Sequence, residues 1–181
     1  MEKYGAGSIV VSDYDPKPTL FEQERSRIKN ALGSFALAIE HVGSTAVPGL
    51  PSKPIIDLLI GVPSLEQAQE RCIEPIEALG YNYMQEYASW LPGELFFRRG
   101  PPGPWTHHVH VMEPFCPRWE ALLVFRDYLR AHPKAAHAYA DIKRALAASS
   151  EDNIGAYRNG KSAFVEETTA KARAWRSTAG D

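Results

Sequence analysis

Residues 39–62 read Ile39-Glu40-His41-Val42-Gly43-Ser44-Thr45-Ala46-Val47-Pro48-Gly49-Leu50-Pro51-Ser52-Lys53-Pro54-Ile55-Ile56-Asp57-Leu58-Leu59-Ile60-Gly61-Val62. The apolar, β-prone run from Phe35 to Val42 predicts a strand. A Gly-Ser-Thr turn follows. Lys53-Pro54 then leads into a near-continuous apolar run, Ile55 to Val62, as expected of a strand covered on both faces. One carboxylate, Asp57, sits in the middle of that run. An isolated charge there is costly to bury, so Asp57 reads as a site residue. The structural alternative is an ion pair with Lys53 or an arginine.

Outward from this stretch the chain alternates between short strands and helices. Toward the N-terminus, Thr19 to Gly33 carries apolar residues three to four apart and predicts a helix, with Thr19 as cap and Gly33 as its end. Before it, Ile9-Val10-Val11 reads as an edge strand. Toward the C-terminus, Ser64 caps a helix expected to run to Leu79, with Pro75 kinking or dividing it and Gly80 ending it. Tyr81–Met84, Leu95–Arg98 and His107–Glu113 read as strands. The proline-glycine stretch from Arg99 to Thr106 reads as a loop. Trp105 in that loop either covers a site or pins the loop to the core.

The last third is helical. One helix starts near Pro117, a second runs from Pro133 to about Ala148, and a third carries Tyr157, Phe164 and Val165. These elements predict an α+β fold, a β-sheet flanked by helices with a helical C-terminal third. A chain of 181 residues suits one domain, placed here over residues 1–176 with a frayed tail from Ser177.

Composition narrows the function classes. Twenty basic and 22 acidic side chains leave a net charge of -2, which argues against a nucleic-acid or anionic-lipid partner. No apolar run is long enough to span a membrane, and Met1 to Gly5 has no apolar signal core. Cys72 and Cys116 form no Cys-x-x-Cys pair and read as packing residues. A cytoplasmic protein with reduced thiols is expected. His107, His132 and His137 read as ordinary structural or surface residues.

The chemistry centres on the turn and on Asp57. Glycine lets a backbone approach a ligand closely, and the amides and hydroxyls of Ser44 and Thr45 suit phosphate oxygens. A neighbouring carboxylate suits a divalent cation that bridges phosphates. On a strand from His107 to Val111, His108 and His110 share one face and Val109 and Val111 the other. Imidazole there suits zinc, manganese or iron as a metal ligand, or serves as a general base. Glu40, His41 or Glu94 are further ligand candidates. Arg98, Arg99 and Lys53 offer positive charge for phosphate, although arginines at such positions are usually surface charges. Tyr157 and Lys161 lie one helical turn apart.

The stretch from Ile39 to Asp57 resembles the signature of the GrpB-like family. So do Phe96-Phe97-Arg98-Arg99-Gly100, Thr106-His107-His108-Val109-His110-Val111 and Phe125-Arg126-Asp127-Tyr128-Leu129-Arg130, with Tyr157, Lys161, Phe164, Val165 and Glu166 in the last helix. The resemblance implies the nucleotidyltransferase superfamily, with the fold of the polymerase-β palm: a mixed sheet with helices around it. It also implies that Gly43-Ser44 corresponds to the superfamily's Gly-Ser motif and Asp57 to the first carboxylate of its acidic pair. Members of the family also occur fused to dephospho-coenzyme A kinase. The chain departs from the superfamily at the second carboxylate, where Leu59 stands.

The expectation is a metal-dependent nucleotidyltransferase acting on a nucleoside triphosphate and a small-molecule acceptor. Asp57 and His110 are its catalytic residues. Gly43, Ser44, Thr45, Lys53, Arg98, Tyr157 and Lys161 hold the nucleotide. Asp57, His108, His110 and Glu40 hold magnesium, manganese or zinc. Two alternatives stand beside it: a non-catalytic nucleotide- or anion-binding protein, which Leu59 favours, and an enzyme that activates a carboxylate to form an amide bond.

Overall fold

The computed structural model describes residues 18–101, 105–149 and 154–179. The stretch Ile9-Val10-Val11 and part of the proline-glycine loop lie outside them. The chain divides into two compact units, each assembled from separated segments. A sheet unit comprises residues 18–42 with Ile55–Glu120, and a helical unit comprises Gly43–Pro54 with residues 121–179.

The sheet unit is α+β. Helix α1 (Pro18–Leu32) leads through a 3-10 turn, Gly33–Phe35, to strand β1 (Ala38–Val42). Strand β2 (Ile56–Gly61), helices α2 (Leu65–Arg71) and α3 (Ile73–Glu77), and strands β3 (Asn82–Tyr83), β4 (Leu95–Arg99) and β5 (His107–Met112) follow. The five strands form one sheet in the order β1-β2-β5-β4-β3. Strands β2 and β5 are parallel and the other pairs antiparallel, so the sheet is mixed.

Two local expectations change. Phe35 is not in β1: Gly33 takes a φ of 56°, the chain turns, and Phe35 packs into the core instead. The ladder to β2 begins only where the Leu37 amide donates to the Gly61 carbonyl. The helix expected from Ser64 to Leu79 is two helices broken at Cys72. Pro75 explains the break, because its ring collides with the carbonyl four residues back, that of Arg71. Ser64 does cap α2, its hydroxyl accepting from the Gln67 amide at 3.3 Å.

Alternation sorts the strands into two faces. Ile56, Leu58, Ile60, Val109, Val111, Leu95 and Phe97 form one core with Ile28 of α1, Ala68 of α2 and Ile76 of α3. The register places Asp57, Leu59, His108, His110, Phe96, Arg98 and Glu40 on the opposite face.

The helical unit holds the turn at residues 43–46, most of helix α4 (Pro117–Ala131), α5 (Pro133–Ser149), α6 (Ile154–Gly160) and α7 (Ser162–Ala179). Its core gathers Val47, Leu50, Leu129, Tyr139 and Ala140, with Phe125 and Phe164 against them. The third C-terminal helix of the sequence reading is thus two helices. At Gly160 a Cβ would lie 2.3 Å from Leu146 Cδ2, so a larger residue there requires the Leu146 side chain to shift. Helix α7 continues to Ala179, and the Ser177 and Thr178 hydroxyls donate back to the carbonyls of Ala174 and Trp175. None of the described helices is long and apolar enough to cross a membrane.

Candidate functional site

Two polar clusters stand out, one in each unit. In the sheet unit, cross-strand pairing aligns Val42, Asp57, His108 and Arg98 in one rung across β1, β2, β5 and β4. The next rung is Glu40, Leu59, His110 and Phe96. Asp57 Oδ1 lies 3.1 Å from His108 Nδ1. A carboxylate only accepts, so Nδ1 carries the proton. Asp57 is therefore a half-exposed member of a carboxylate–imidazole pair, its side chain 23% accessible, and not the deeply buried charge that its apolar neighbours suggested. The burial that Ile56 and Leu58 imply belongs to the other face.

A second pair lies beside it. His110 Nδ1 is 3.2 Å from Glu94 Oε1, and Arg118 Nε donates to Glu94 Oε2 at 2.8 Å. The Glu94 side chain is fully buried. Burial pushes its pKa up, but the hydrogen bonds and positive charge of His110 and Arg118 outweigh that and hold it below the usual carboxylate range.

Arg98 is wrapped in rings. Its guanidinium lies 4.8 Å from the Tyr87 centroid, 5.2 Å from Phe96 and 5.5 Å from Trp105. Arg99 faces the other way and is no surface charge: it donates to Glu24 at 2.7 Å and to the His107 ring at 3.1 Å. His107 is buried, and burial together with the Arg99 charge lowers its pKa to about 4. His41 also lies off the polar face, stacked on Phe21 at 4.6 Å.

Among the described residues, no three His, Cys, Asp or Glu side chains are grouped to hold a metal ion. Asp57 and His108 point at each other, as do Glu94 and His110. The residues as arranged form two hydrogen-bonded pairs.

In the helical unit, the turn begins one residue after β1. Gly43 has φ 72° and ψ -171°, a conformation essentially restricted to glycine. Ser44–Ala46 then form a single 3-10 turn. Helix α4 anchors it through Arg130 Nε, which donates to the Ala46 carbonyl at 2.8 Å. Helix α5 supplies Lys143, whose Nζ donates to Ser44 Oγ at 3.2 Å and to the Pro51 carbonyl. Lys143 is 1% exposed and lies 4.8 Å from the Tyr139 ring. Burial, with repulsion from Lys161 and Arg144, lowers its pKa to about 7.

Two more lysines share one ring. Lys53 Nζ sits 4.8 Å and Lys161 Nζ 5.2 Å from the centroid of buried Tyr157. Burial also lowers the Lys53 pKa and raises that of Tyr157. The structure thus brings Lys53, Tyr157 and Lys161 together and sets Lys143 against Ser44. Thr45 lies half-buried in the same turn. The turn belongs to the helical unit, whereas Asp57, His108, His110, Glu40 and Arg98 belong to the sheet unit.

Lys143 escaped the sequence reading, yet α5 carries a signal for it. It follows Tyr139 and Ala140 by four and three residues, so it falls on the apolar stripe where a lysine is out of place. The burial of Glu94, just before β4, had no such signal.

The family model described as GrpB protein matches residues 8–171. A Bacillus subtilis (strain 168) protein named UPF0157 protein YqkA is 40% identical over 156 residues, which is 86% of this chain and 44% of that protein. The chain therefore spans under half the length of that relative. A Mycolicibacterium paratuberculosis protein named dephospho-CoA kinase is 30% identical over 189 residues, covering 92% of this chain and 46% of that protein. The crystal structure of the conserved protein GrpB from Enterococcus faecalis matches with a TM-score of 0.83 at 36% identity, over 92% of this chain and 99% of that one.

Proposed function

The chain belongs to the GrpB family, and we propose that it binds the phosphate chain of a nucleotide at the Gly43–Ala46 turn. The observation that carries this is Lys143. An ammonium group removed from water normally sits against a carboxylate. Lys143 instead meets a hydroxyl, a carbonyl and an aromatic face, with Lys161 close enough to repel it. Lys53 adds a third ammonium group in the same unit, over the ring it shares with Lys161. A polyphosphate supplies the negative charge that this cluster needs, and Ser44 offers a hydroxyl to it.

The relative named dephospho-CoA kinase supports the same class of ligand, since a kinase handles phosphate. The match covers less than half of that protein, so the support extends to the ligand class alone.

Transfer of a nucleotidyl group to a small acceptor is the enzymatic form of this proposal. The Asp57–His108 pair favours it, because it supplies a carboxylate on β2 and an imidazole on β5. Placement in the nucleotidyltransferase superfamily is consistent with the family. Leu59, in place of a second carboxylate, favours binding without transfer.

Calorimetry with the four nucleoside triphosphates and inorganic tripolyphosphate, with and without magnesium, tests the binding. The native chain is expected to bind at least one triphosphate, and Lys143→Met to weaken that binding tenfold or more while the circular dichroism spectrum is retained. Absence of binding by the native chain to every one of these compounds refutes the proposal. Pyrophosphate release in the presence of acceptor alcohols separates transfer from binding alone.

A further inference from the structure

The rung that joins Asp57, His108 and Arg98 carries two polar atoms with unmet hydrogen bonds. Among the described residues, Arg98 Nε and His108 Nε2 are buried and have no hydrogen-bond partner. They belong to residues paired directly across β4 and β5. One aromatic ring touches both side chains, with Phe96 5.3 Å from the His108 ring and 5.2 Å from the Arg98 guanidinium.

Their hydrogen-bonding senses are opposite. Arg98 Nε–H can only donate. The Asp57 carboxylate accepts from His108 Nδ1–H, and in the tautomer with its single proton on Nδ1 the ring presents a lone pair at Nε2, which accepts. A carboxylate or fully ionised phosphate would satisfy the arginine but turn lone pairs toward Nε2. An ammonium group would satisfy Nε2 but repel Arg98. A hydroxyl group is donor and acceptor at once, and it meets both demands.

We infer that the Arg98–His108 rung is a binding site for the hydroxyl group of a small alcohol or polyol. The hydroxyl oxygen accepts from Arg98 Nε–H, and its hydrogen is directed at His108 Nε2. Phe96, Tyr87 and Trp105 wall the guanidinium with rings and keep its Nε out of bulk water. Asp57 acts as a positioning residue that sets the tautomer of the imidazole. The site lies wholly in the sheet unit and does not depend on phosphate binding at the Ser44 turn.

Long-range proton–nitrogen correlation spectra of the full chain labelled with 15N, recorded at pH 8, test the inference. Ethylene glycol at molar concentration is the probe, and 1,2-dimethoxyethane, which accepts but cannot donate, is its control. The expected spectrum shows His108 protonated on Nδ1 and bare on Nε2. Glycol moves the His108 Nε2 and Arg98 Nε signals together, and the diether leaves them in place. In Asp57→Asn the proton moves to Nε2 and the glycol response is lost, while the remaining amide signals keep their positions. Four results overturn the inference: a native ring protonated on Nε2, equal shifts with glycol and diether, no shift with either (a rung that holds water only), or shifts with inorganic phosphate in the absence of any with glycol.

Discussion

Lys143 reaches from α5 to Ser44, its ammonium group donating to the serine hydroxyl at 3.2 Å inside the helical unit. Burial of that charge opposes folding while the amine is protonated. With the folded pKa near 7 and the ordinary value at 10.5, the unfolded chain binds a proton between those values that the folded chain does not. Stability therefore rises with pH across this window. Urea unfolding at pH 7 to 9 should show the rise in the native chain and a flatter profile in Lys143→Met. The upper bound of pH 9 avoids Cys72, whose thiol burial pushes up to about 11 and whose effect has the opposite sign. Equal slopes in the two proteins would contradict the assignment.

Gly43→Ala tests the turn. At φ 72° and ψ -171° a Cβ costs about 1–3 kcal/mol. The variant is expected to lose that much stability in chemical denaturation, and to bind triphosphate more weakly than the native chain. Gly49→Ala is a useful comparison: its φ is also positive, at 74°, but no Lys143 contact lies at that residue.

Glu94→Gln removes a buried charge that both His110 and Arg118 use. Breaking a buried pair from one side leaves the other partners uncompensated, at a cost of about 3 kcal/mol. The native carboxyl also titrates below its ordinary range, so its contribution is present above pH 4.5 and disappears as pH falls through the depressed folded value. Denaturant midpoints at pH 7 and pH 3.5 should differ less in the variant than in the native protein.

His107 predicts a separate acid effect. Its folded pKa of about 4 lies under the ordinary 6.5, so the unfolded chain takes up a proton first as pH falls. Stability is present above pH 6.5 and declines between there and pH 4. Replacement His107→Leu, which keeps an apolar volume against Tyr81, should flatten the melting-temperature profile over that interval. An unchanged profile would show that the imidazole is not neutral in the fold.

Much of the fold was legible because strand residues alternate with a period of two. His108 and His110 fall on one face of β5 and Val109 and Val111 on the other, as their spacing alone requires. The same rule misled at Asp57. An unbroken apolar run suggested two covered faces and a buried charge, yet the face that carries Asp57 also carries His108 and Arg98 and leaves the carboxylate half-exposed. Leu59 is fully buried on that face, so the run looked uniform although its surroundings are not.

Local chemistry in the sequence determined the mixed strand-and-helix content, the glycine-dependent turn at residue 43 and the facing of each strand residue. These depend on backbone geometry and on neighbours a few positions away. Tertiary structure alone decided that His108 meets Asp57, that Glu94 is buried between His110 and Arg118, and that Lys143 abuts Ser44. Those contacts join residues 16 to 99 positions apart, and their partners are set by strand register and helix packing, which minimise free energy over the whole core.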